Sequence, residues 1–343
     1  MKIEKSKLQE ALRIVEPGLA EKEIPYLEQS KSFAFVGGKI ITYNDEISIS
    51  HPIEGWGDIE GVIQAKKLYD LLSKLSAKEL DIFINKKSEM IIKAGKAKAG
   101  LTLQSELNLP IIEFTDDSKW MKLPDNFIDA IIFTSGCAST DSGDPILQNL
   151  HINADGFVES SDSFRIAKYT LSEVIDTETF LIPSKSAIEM TKIKPVEFCK
   201  DDAWVHFRTE AGTVFSCRIV NETFPDTTPH LNIKGSQLTF PDKLKEVVDR
   251  AMIFAERKNK FNEIITVSAK PGNLKVRSEA ESGWFEEDIE MEYDGDEISF
   301  IATPFLLKDI LSQTTTCVIN KERSKLKFEG DNWQYMVALR VQQ

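Results

Sequence analysis

An amphipathic segment near Ser6 (SKLQEALRIV) returns near Pro124 (LPDNFIDAIIF) and again near Pro241 (FPDKLKEVVDRAMIFA). Leu8, Phe127 and Leu244 hold the same place in it, 119 and 117 residues apart. Apolar residues at helical spacing predict a helix at each site. Ser6 reads as an N-cap, while Pro124-Asp125 and Pro241-Asp242 put proline and acid into a first turn. A second pattern keeps the same period. Residues 62–75 (VIQAKKLYDLLSKL), 180–193 (FLIPSKSAIEMTKI) and 300–311 (FIATPFLLKDIL) each run a short apolar strand into a helix, with Ala65, Ser184 and Thr303 in register. Alternating runs around a turn then close each unit, at 90–103, 204–220 and 326–341, and read as hairpins. Three elements recurring in order define an internal three-fold repeat. The expected fold is therefore α+β, with three repeated domains over 1–116, 117–235 and 236–343, each two helices packed on antiparallel sheets.

A chain of 343 residues exceeds one ordinary core, as three units require. Its 41% hydrophobic and 28% charged residues are those of a globular, ordered protein. No apolar run approaches the roughly 18 residues of a membrane span, and the N-terminus lacks a signal-peptide core. Cys137, Cys199, Cys217 and Cys317 are scattered without a C-x-x-C pair, so free thiols in a reducing, cytoplasmic setting are expected.

The net charge of −13 argues, taken whole, against a nucleic-acid partner. Its distribution argues otherwise. The six helical segments (2–13, 62–78, 119–131, 183–194, 240–261 and 303–312) carry 20 Lys and Arg against 11 Asp and Glu, so the remainder of the chain holds the acid. Lysine favours helices and solvated faces in any protein. A basic helical surface on an acidic body also suits a surface that follows phosphates without reading bases.

Catalytic patterns are missing. Gly37-Gly38-Lys39 lacks the upstream glycine and following hydroxyl of a phosphate-binding loop, and Gly55-Trp56-Gly57 lacks the third glycine of a dinucleotide fold. His51, His151, His206 and His230 never fall at metal-ligand spacing. The acidic pairs Asp116-Asp117, Asp201-Asp202 and Glu286-Glu287 are sequence neighbours, which point to opposite faces of a strand. In SSDSFRIAKYTL (160–171) the serines have no adjacent histidine or lysine to activate them. No cofactor, metal or enzymatic activity is expected. A hydrolase built from carboxylates brought together by folding stays open as an alternative.

Five motifs in order resemble those of the bacterial β sliding clamps, the DNA polymerase III processivity factors, including phage-encoded relatives. The T-D-G-H-R-L-A motif is matched by Ser161-Asp162-Ser163-Phe164-Arg165-Ile166-Ala167. The V-P-[RK]-K junction is matched by Ile182-Pro183-Ser184-Lys185, and G-x-F-P-D-Y by Glu222-Thr223-Phe224-Pro225-Asp226. Glu286-Glu287, Tyr293-Asp294-Gly295 and Ile301–Leu307 follow the third-domain pattern. Val337-Ala338-Leu339-Arg340-Val341 stands for the C-terminal M-P-M-R-L.

The resemblance implies a head-to-tail homodimer closed into a ring of six domains around duplex DNA, bound without regard to sequence. Twelve helices side by side at about 9 Å leave a bore of roughly 24 Å, enough for a duplex. Closure then retains the ring, and weak lysine contacts let it slide. The partners implied are DNA polymerase, the clamp loader and other proteins carrying a clamp-binding peptide. A clamp-fold scaffold that no longer encircles DNA is the alternative within the same fold.

By the same resemblance the peptide pocket comprises Leu147, Ser161, Ser163, Phe164, Arg165, Ile166, Pro225, Tyr335, Met336, Val337, Ala338 and Leu339, with Arg165 as a polar handle. The dimer interface sets Ile253 and Phe254 against the partner's Leu101 and Leu103. DNA contacts carry over poorly, since Glu21 and Asp141 stand where the family has arginine and glutamine. The helix cations Lys66, Lys67, Lys74, Lys192, Lys194, Arg250, Arg257 and Lys258 are the expected DNA-facing residues. Phe164 replaces a histidine, Ala338 a proline and Ala302 an asparagine, while Pro229 and His230 replace a basic residue and an aliphatic. These changes alter the peptide the pocket prefers.

Overall fold

The computed structural model describes residues 1–110 and 119–340. One succession of elements occurs three times. It begins with β1 (Lys2–Glu4), α1 (Lys5–Val15), β2 (Ser32–Val36), β3 (Lys39–Tyr43), β4 (Ile47–Pro52), β5 (Gly61–Gln64), α2 (Ala65–Lys74), β6 (Glu79–Ile84), β7 (Glu89–Ala94) and β8 (Ala97–Thr102). The second pass is β9 (Met121–Lys122), α3 (Phe127–Ser135), β10 (Asn149–Asn153), β11 (Phe157–Ser161), β12 (Arg165–Thr170), β13 (Phe180–Pro183), α4 (Ser184–Thr191), β14 (Glu197–Lys200), β15 (Trp204–Arg208) and β16 (Val214–Arg218). After a short helix, α5 (Thr228–Leu231), the third pass is β17 (Gly235–Thr239), α6 (Leu244–Ala255), β18 (Ile265–Lys270), β19 (Asn273–Ala280), β20 (Gly283–Glu290), β21 (Ile298–Ala302), α7 (Pro304–Ile310), β22 (Thr316–Asn320), β23 (Lys325–Glu329) and β24 (Trp333–Ala338). The α+β repeat expected from the sequence is present.

The helix starts differ from expectation by a turn. Pro124 and Pro241 lie ahead of their helices, and each carbonyl accepts from the first helical amide, Phe127 N and Leu244 N, at 2.9 Å. Ser6 lies inside the first turn of α1, whose N-cap is Glu4. Helix α6 stops at Ala255, because Glu256 turns to extended backbone (φ −50°, ψ 130°). Arg257 and Lys258 are therefore not helical, and Lys192 and Lys194 fall just beyond α4.

The chain forms two compact units that cut across the linear repeat. The first takes Met1–Ile128 and Ile182–Asn221, the second Asp129–Leu181 and Glu222–Gln343. The first unit has an eight-stranded sheet in the order β5-β2-β3-β4-β16-β15-β14-β9, antiparallel throughout, and a four-stranded sheet β1-β6-β7-β8. The second has an eight-stranded sheet in the order β13-β10-β11-β12-β24-β23-β22-β17 and a four-stranded sheet β20-β19-β18-β21. The two large sheets have one topology, displaced by one repeat. Each joins two successive repeats edge to edge, through β4 and β16 in the first unit and β12 and β24 in the second.

Helices pack on the sheets of both units. In the second unit Leu244, Val247, Val248, Ala251 and Ala255 of α6 are fully buried, and they pack with Val267, Leu274, Val276, Leu306 and Leu307. That spacing is one apolar stripe of a helix, and each large side chain so buried contributes about 1.5–3 kcal/mol. In the first unit α1 buries Leu8, Leu12 and Val15, and Phe35 stacks on Trp56 with ring centroids 4.5 Å apart.

Candidate docking surface

In the second unit the turn between β11 and β12 is built almost wholly by side chains of SSDSFR. Ser161 pairs with Ile166 across the hairpin, and Ser163 takes a left-handed conformation (φ 70°). Asp162 Oδ1 accepts from the amides of Phe164 and Arg165, at 3.1 and 3.0 Å. Ser161 Oγ donates to the Arg165 carbonyl at 2.9 Å. These local bonds explain the polar run. The serines and the aspartate shape a turn, as short polar side chains do.

Arg165 is buried rather than offered to a ligand. Its Nε donates to Asp162 Oδ2 at 2.9 Å, and one terminal nitrogen donates to Asp309 Oδ2 at 2.6 Å and to the Tyr335 hydroxyl at 3.3 Å. Two carboxylates thus already engage the arginine expected as a polar handle, through its Nε and one terminal nitrogen. Burial pushes the Cys137 thiol up to about 12, against the pull of Arg165, so this cysteine is a neutral core residue. Burial likewise raises the Tyr335 phenol well above its ordinary range.

Beside the turn, β12 lies antiparallel to β24, which sets Ile166 against Met336 and Arg165 against Val337. Leu231 of α5 completes a small cluster with Ile166 and Met336, all three at most 5% exposed. Tyr335, Val337 and Leu339 are also buried, Ala338 and Leu147 half-buried, and Ser163, Phe164 and Pro225 exposed. Arg165, Ile166, Tyr335, Met336 and Val337 thus lie together on the paired strands β12 and β24, while Leu147 precedes β10 and Pro225 precedes α5. Leu231 was missed because it sits alone in a polar linker (TTPHLN) with no periodic neighbour. Phe261, which stacks on Phe164 at 4.5 Å, and Phe305 and Asp309, which meet Arg165, were missed for a related reason, since nothing in the sequence connects them to the turn. Val341, the last residue of the matched C-terminal motif, lies outside the described residues.

The same position in the first unit is chemically different. Tyr43 pairs with Ser48 across the corresponding turn, where Asp45 repeats the left-handed conformation (φ 75°). In place of Ile166 and Met336 stand Ser48 and Ser216, paired across β4 and β16 and both buried. In place of Ala338 stands Arg218, which ion-pairs with Asp45 at 2.7 Å and lies over the Trp204 ring at 4.7 Å. One fold therefore presents an apolar cluster once and a polar one once.

The expected DNA-facing cations divide by their partners. Lys66, Lys67 and Lys74 project from α2, exposed and without an ion pair among the described residues. Lys194 is also exposed. Lys192 is held by Glu189 at 2.6 Å, Arg250 is bidentate to Glu287 at 2.8 and 2.9 Å, and Arg257 donates to two backbone carbonyls. Lys258 is exposed on the segment after α6.

At the expected interface Ile253 is 66% exposed on α6, while Phe254 stacks on Phe285. Leu101 is half-buried. Leu103 is buried over Gly61, where a Cβ would meet its side chain at 2.6 Å, so only glycine fits there. No three His, Cys, Asp or Glu gather as a metal site among the described residues.

A three-fold succession of two helices and eight strands, joined edge to edge into eight-stranded sheets, defines a protein of the repeated DNA-clamp fold. Among proteins of that fold, the chain is similar to the bacterial β sliding clamps. It is 24% identical over 340 residues to the β sliding clamp of Bacillus subtilis, covering 90% of this chain and 89% of that one. To the β sliding clamp of Pseudomonas putida it is 23% identical over 289 residues, 79% of this chain and 76% of that one. No family model matches. Solved structures agree in fold. The DNA polymerase III subunit β from Pseudomonas aeruginosa superimposes with a TM-score of 0.85 at 19% identity, covering all of both chains. The sliding clamp of Bacillus subtilis superimposes with a TM-score of 0.84 at 21% identity, covering 100% of this chain and 99% of that one. The resemblance read from the sequence motifs is borne out.

Proposed function

We propose that the protein is a DNA polymerase sliding clamp: a non-catalytic, ring-shaped homodimer that encircles duplex DNA and tethers a polymerase through the docking surface of its second unit. The observation that carries this is the sheet topology. Two successive repeats make an eight-stranded sheet twice over within one chain, which leaves the first half of repeat 3 and the second half of repeat 1 as four-stranded sheets. The strands left at their edges are β20 and β8, the counterparts of β12 and β4's partner β16. A second copy placed head to tail lets β20 of one protomer pair with β8 of the other, completing a third sheet of the same order at each junction. Heterologous contacts of this kind generate a closed ring when the rotation is right.

The chemistry of the two edges supports the pairing. Strand β20 exposes Glu286, Asp288 and Glu290, and the β7–β8 hairpin exposes Lys93, Lys96 and Lys98. Ile253 and Phe254 then face the partner's Leu101, with Leu103 acting from below as core. In this reading the repeat units are 1–116, 117–235 and 236–343, the first boundary lying in the segment outside the described residues. Lys66, Lys67, Lys74, Lys194 and Lys258 are the exposed cations that face DNA, joined by Lys192, Arg250 and Arg257 when their present partners release them. The clamp loader and other clamp-binding proteins share the docking surface with the polymerase. No helix among the described residues is long and apolar enough to cross a membrane, which accords with a cytoplasmic site of action.

Retention on DNA tests the proposal. After loading, the protein should stay on a circular duplex and run off the same duplex once it is cut. Equal loss from both forms would leave a clamp-fold scaffold that does not encircle DNA.

A further inference from the structure

Each repeat begins with a strand that ends its sheet, and the three edges are protected differently. Strands β1 (Lys2–Glu4) and β9 (Met121–Lys122) are very short and carry charge, at Lys2 and Glu4 and at Lys122. Short, charged edges resist pairing with a further strand. Strand β17 ends the large sheet of the second unit with five residues, GSQLT, free of charge and proline. No strand lies beyond it among the described residues. Phe240 N donates to the Thr315 carbonyl at 2.9 Å, in register with the β17–β22 ladder. Alternation along an antiparallel pair then turns the main-chain groups of Gln237 and Thr239 away from β22, towards the open edge.

A cleft of about 640 Å³ lies against this edge, lined by Gln237 and Thr239 and by the loop between β20 and β21. The loop reads EYDGDE over 292–297. Tyr293 holds it in place, its carbonyl accepting from Gly272 N at 2.9 Å and its hydroxyl donating to the Asp296 carbonyl at 2.6 Å. Glu297 is ion-paired with Lys270 at 3.2 Å. Glu292, Asp294 and Asp296 are exposed and have no ion pair among the described residues. Lys321 and Arg323 also line the cleft, with Arg323 donating to the Glu297 carbonyl at 3.2 Å, so carboxylates outnumber cations there by four to two.

We propose that the open edge of β17 docks an extended, basic segment of a partner protein by strand addition. Main-chain bonds to Gln237 and Thr239 supply the attachment, and alternate side chains of the added strand turn towards the 292–297 loop. Lysine or arginine at those positions meets Glu292, Asp294 and Asp296, whereas an acidic residue is repelled. A second copy of β17 is a poor occupant, because GSQLT brings no cation to these carboxylates. The edge shares no residue with the docking surface around Ile166 and Met336, and the inference does not depend on ring closure.

Fluorescence anisotropy of full-length protein with labelled peptides tests this. The probes are Ser-Lys-Thr-Lys-Thr-Lys-Ser, the same peptide with glutamate for lysine, and an N-methylated lysine peptide that has lost its main-chain donors. None carries an apolar anchor for the docking surface. The lysine peptide should bind tightest, by about tenfold over either alternative. Gln237→Pro removes one outward N–H and leaves the ladder to β22 intact, so it should weaken the lysine peptide to the level of the N-methylated one, with the unfolding midpoint unchanged. Glu292→Lys, Asp294→Lys and Asp296→Lys together should reverse the preference between lysine and glutamate peptides, and the gain for glutamate also shows that the variant is folded. Equal or absent binding of the three peptides overturns the proposal. Lysine-peptide binding that survives Gln237→Pro also overturns it, as attraction to a chain of net charge −13 rather than strand addition. A species heavier than a dimer that Gln237→Pro dissolves gives the edge to a second copy and overturns the basic partner.

Discussion

Arg165 and Asp309 are 144 residues apart in sequence and meet at 2.6 Å, tying the docking turn to α7. The other carboxylate on Arg165, Asp162, is almost fully buried, whereas Asp309 is about half exposed. Arg165→Ala strands a buried charge and should destabilise the second unit by about 3 kcal/mol. Asp309→Ala, screened by solvent, should cost about 1 kcal/mol or less. Denaturant unfolding of both variants checks the order. Because the same arginine shapes the turn, Arg165→Ala should also weaken peptide binding.

Met336 and Leu231 fill the space against Ile166. Truncating either to alanine leaves a cavity and should cost about 2–4 kcal/mol, read as a lower unfolding midpoint. Met336→Ala should also reduce peptide affinity, with solution mass unchanged. A variant that unfolds earlier yet binds the peptide normally would detach this cluster from docking.

Charge on the free edges should govern assembly. The native protein is expected at a solution mass near twice 38.7 kDa. Ile253→Asp, at a position 66% exposed within one chain, should shift the mass towards 38.7 kDa without altering the melting of the isolated units. A mass that stays dimeric would move the interface elsewhere.

Free and engaged cations should differ in their effect on DNA. Replacing Lys66, Lys67 and Lys74 together by alanine should speed sliding from the ends of linear DNA and flatten its salt dependence by up to about three phosphate contacts. Arg250→Ala should do less, because Glu287 already holds that guanidinium in a bidentate pair. Single-molecule residence times at two salt concentrations separate these outcomes.

Burial lowers the pKa of His206 below its ordinary 6.5, opposed in part by Asp201. The unfolded chain therefore binds a proton more readily than the folded one. The stabilisation is complete above pH 6.5 and is lost as pH falls through the lowered folded value. His51 behaves alike, with burial as the main cause and Glu10 opposing it. Unfolding midpoints should fall between pH 7 and 5, and His206→Gln should flatten the slope. Asp201, whose pKa is lowered by backbone bonds from Ala203 and Trp204 despite its partial burial, acts in the same direction at more acid pH.

By itself the sequence determined the repeat and the class of fold. Leu8, Phe127 and Leu244 recur with their surrounding polar pattern, and periodicity of that kind is local, so it survives without coordinates. The motif around Asp162 and Arg165 likewise marked the turn between β11 and β12 that is proposed to dock a partner. Tertiary structure decided what those residues do. Arg165 looked available until Asp162 and Asp309 were seen to neutralise it, and Leu231, Phe261 and Phe305 reached the turn only through folding. Contacts between distant segments leave no periodic trace, because each partner needs only to be apolar or charged at one position. The compact units were decided at the same level. Hydrogen bonding of β4 to β16 and of β12 to β24 joins halves of successive repeats, and unpaired strand edges favour that pairing wherever the chain brings them together.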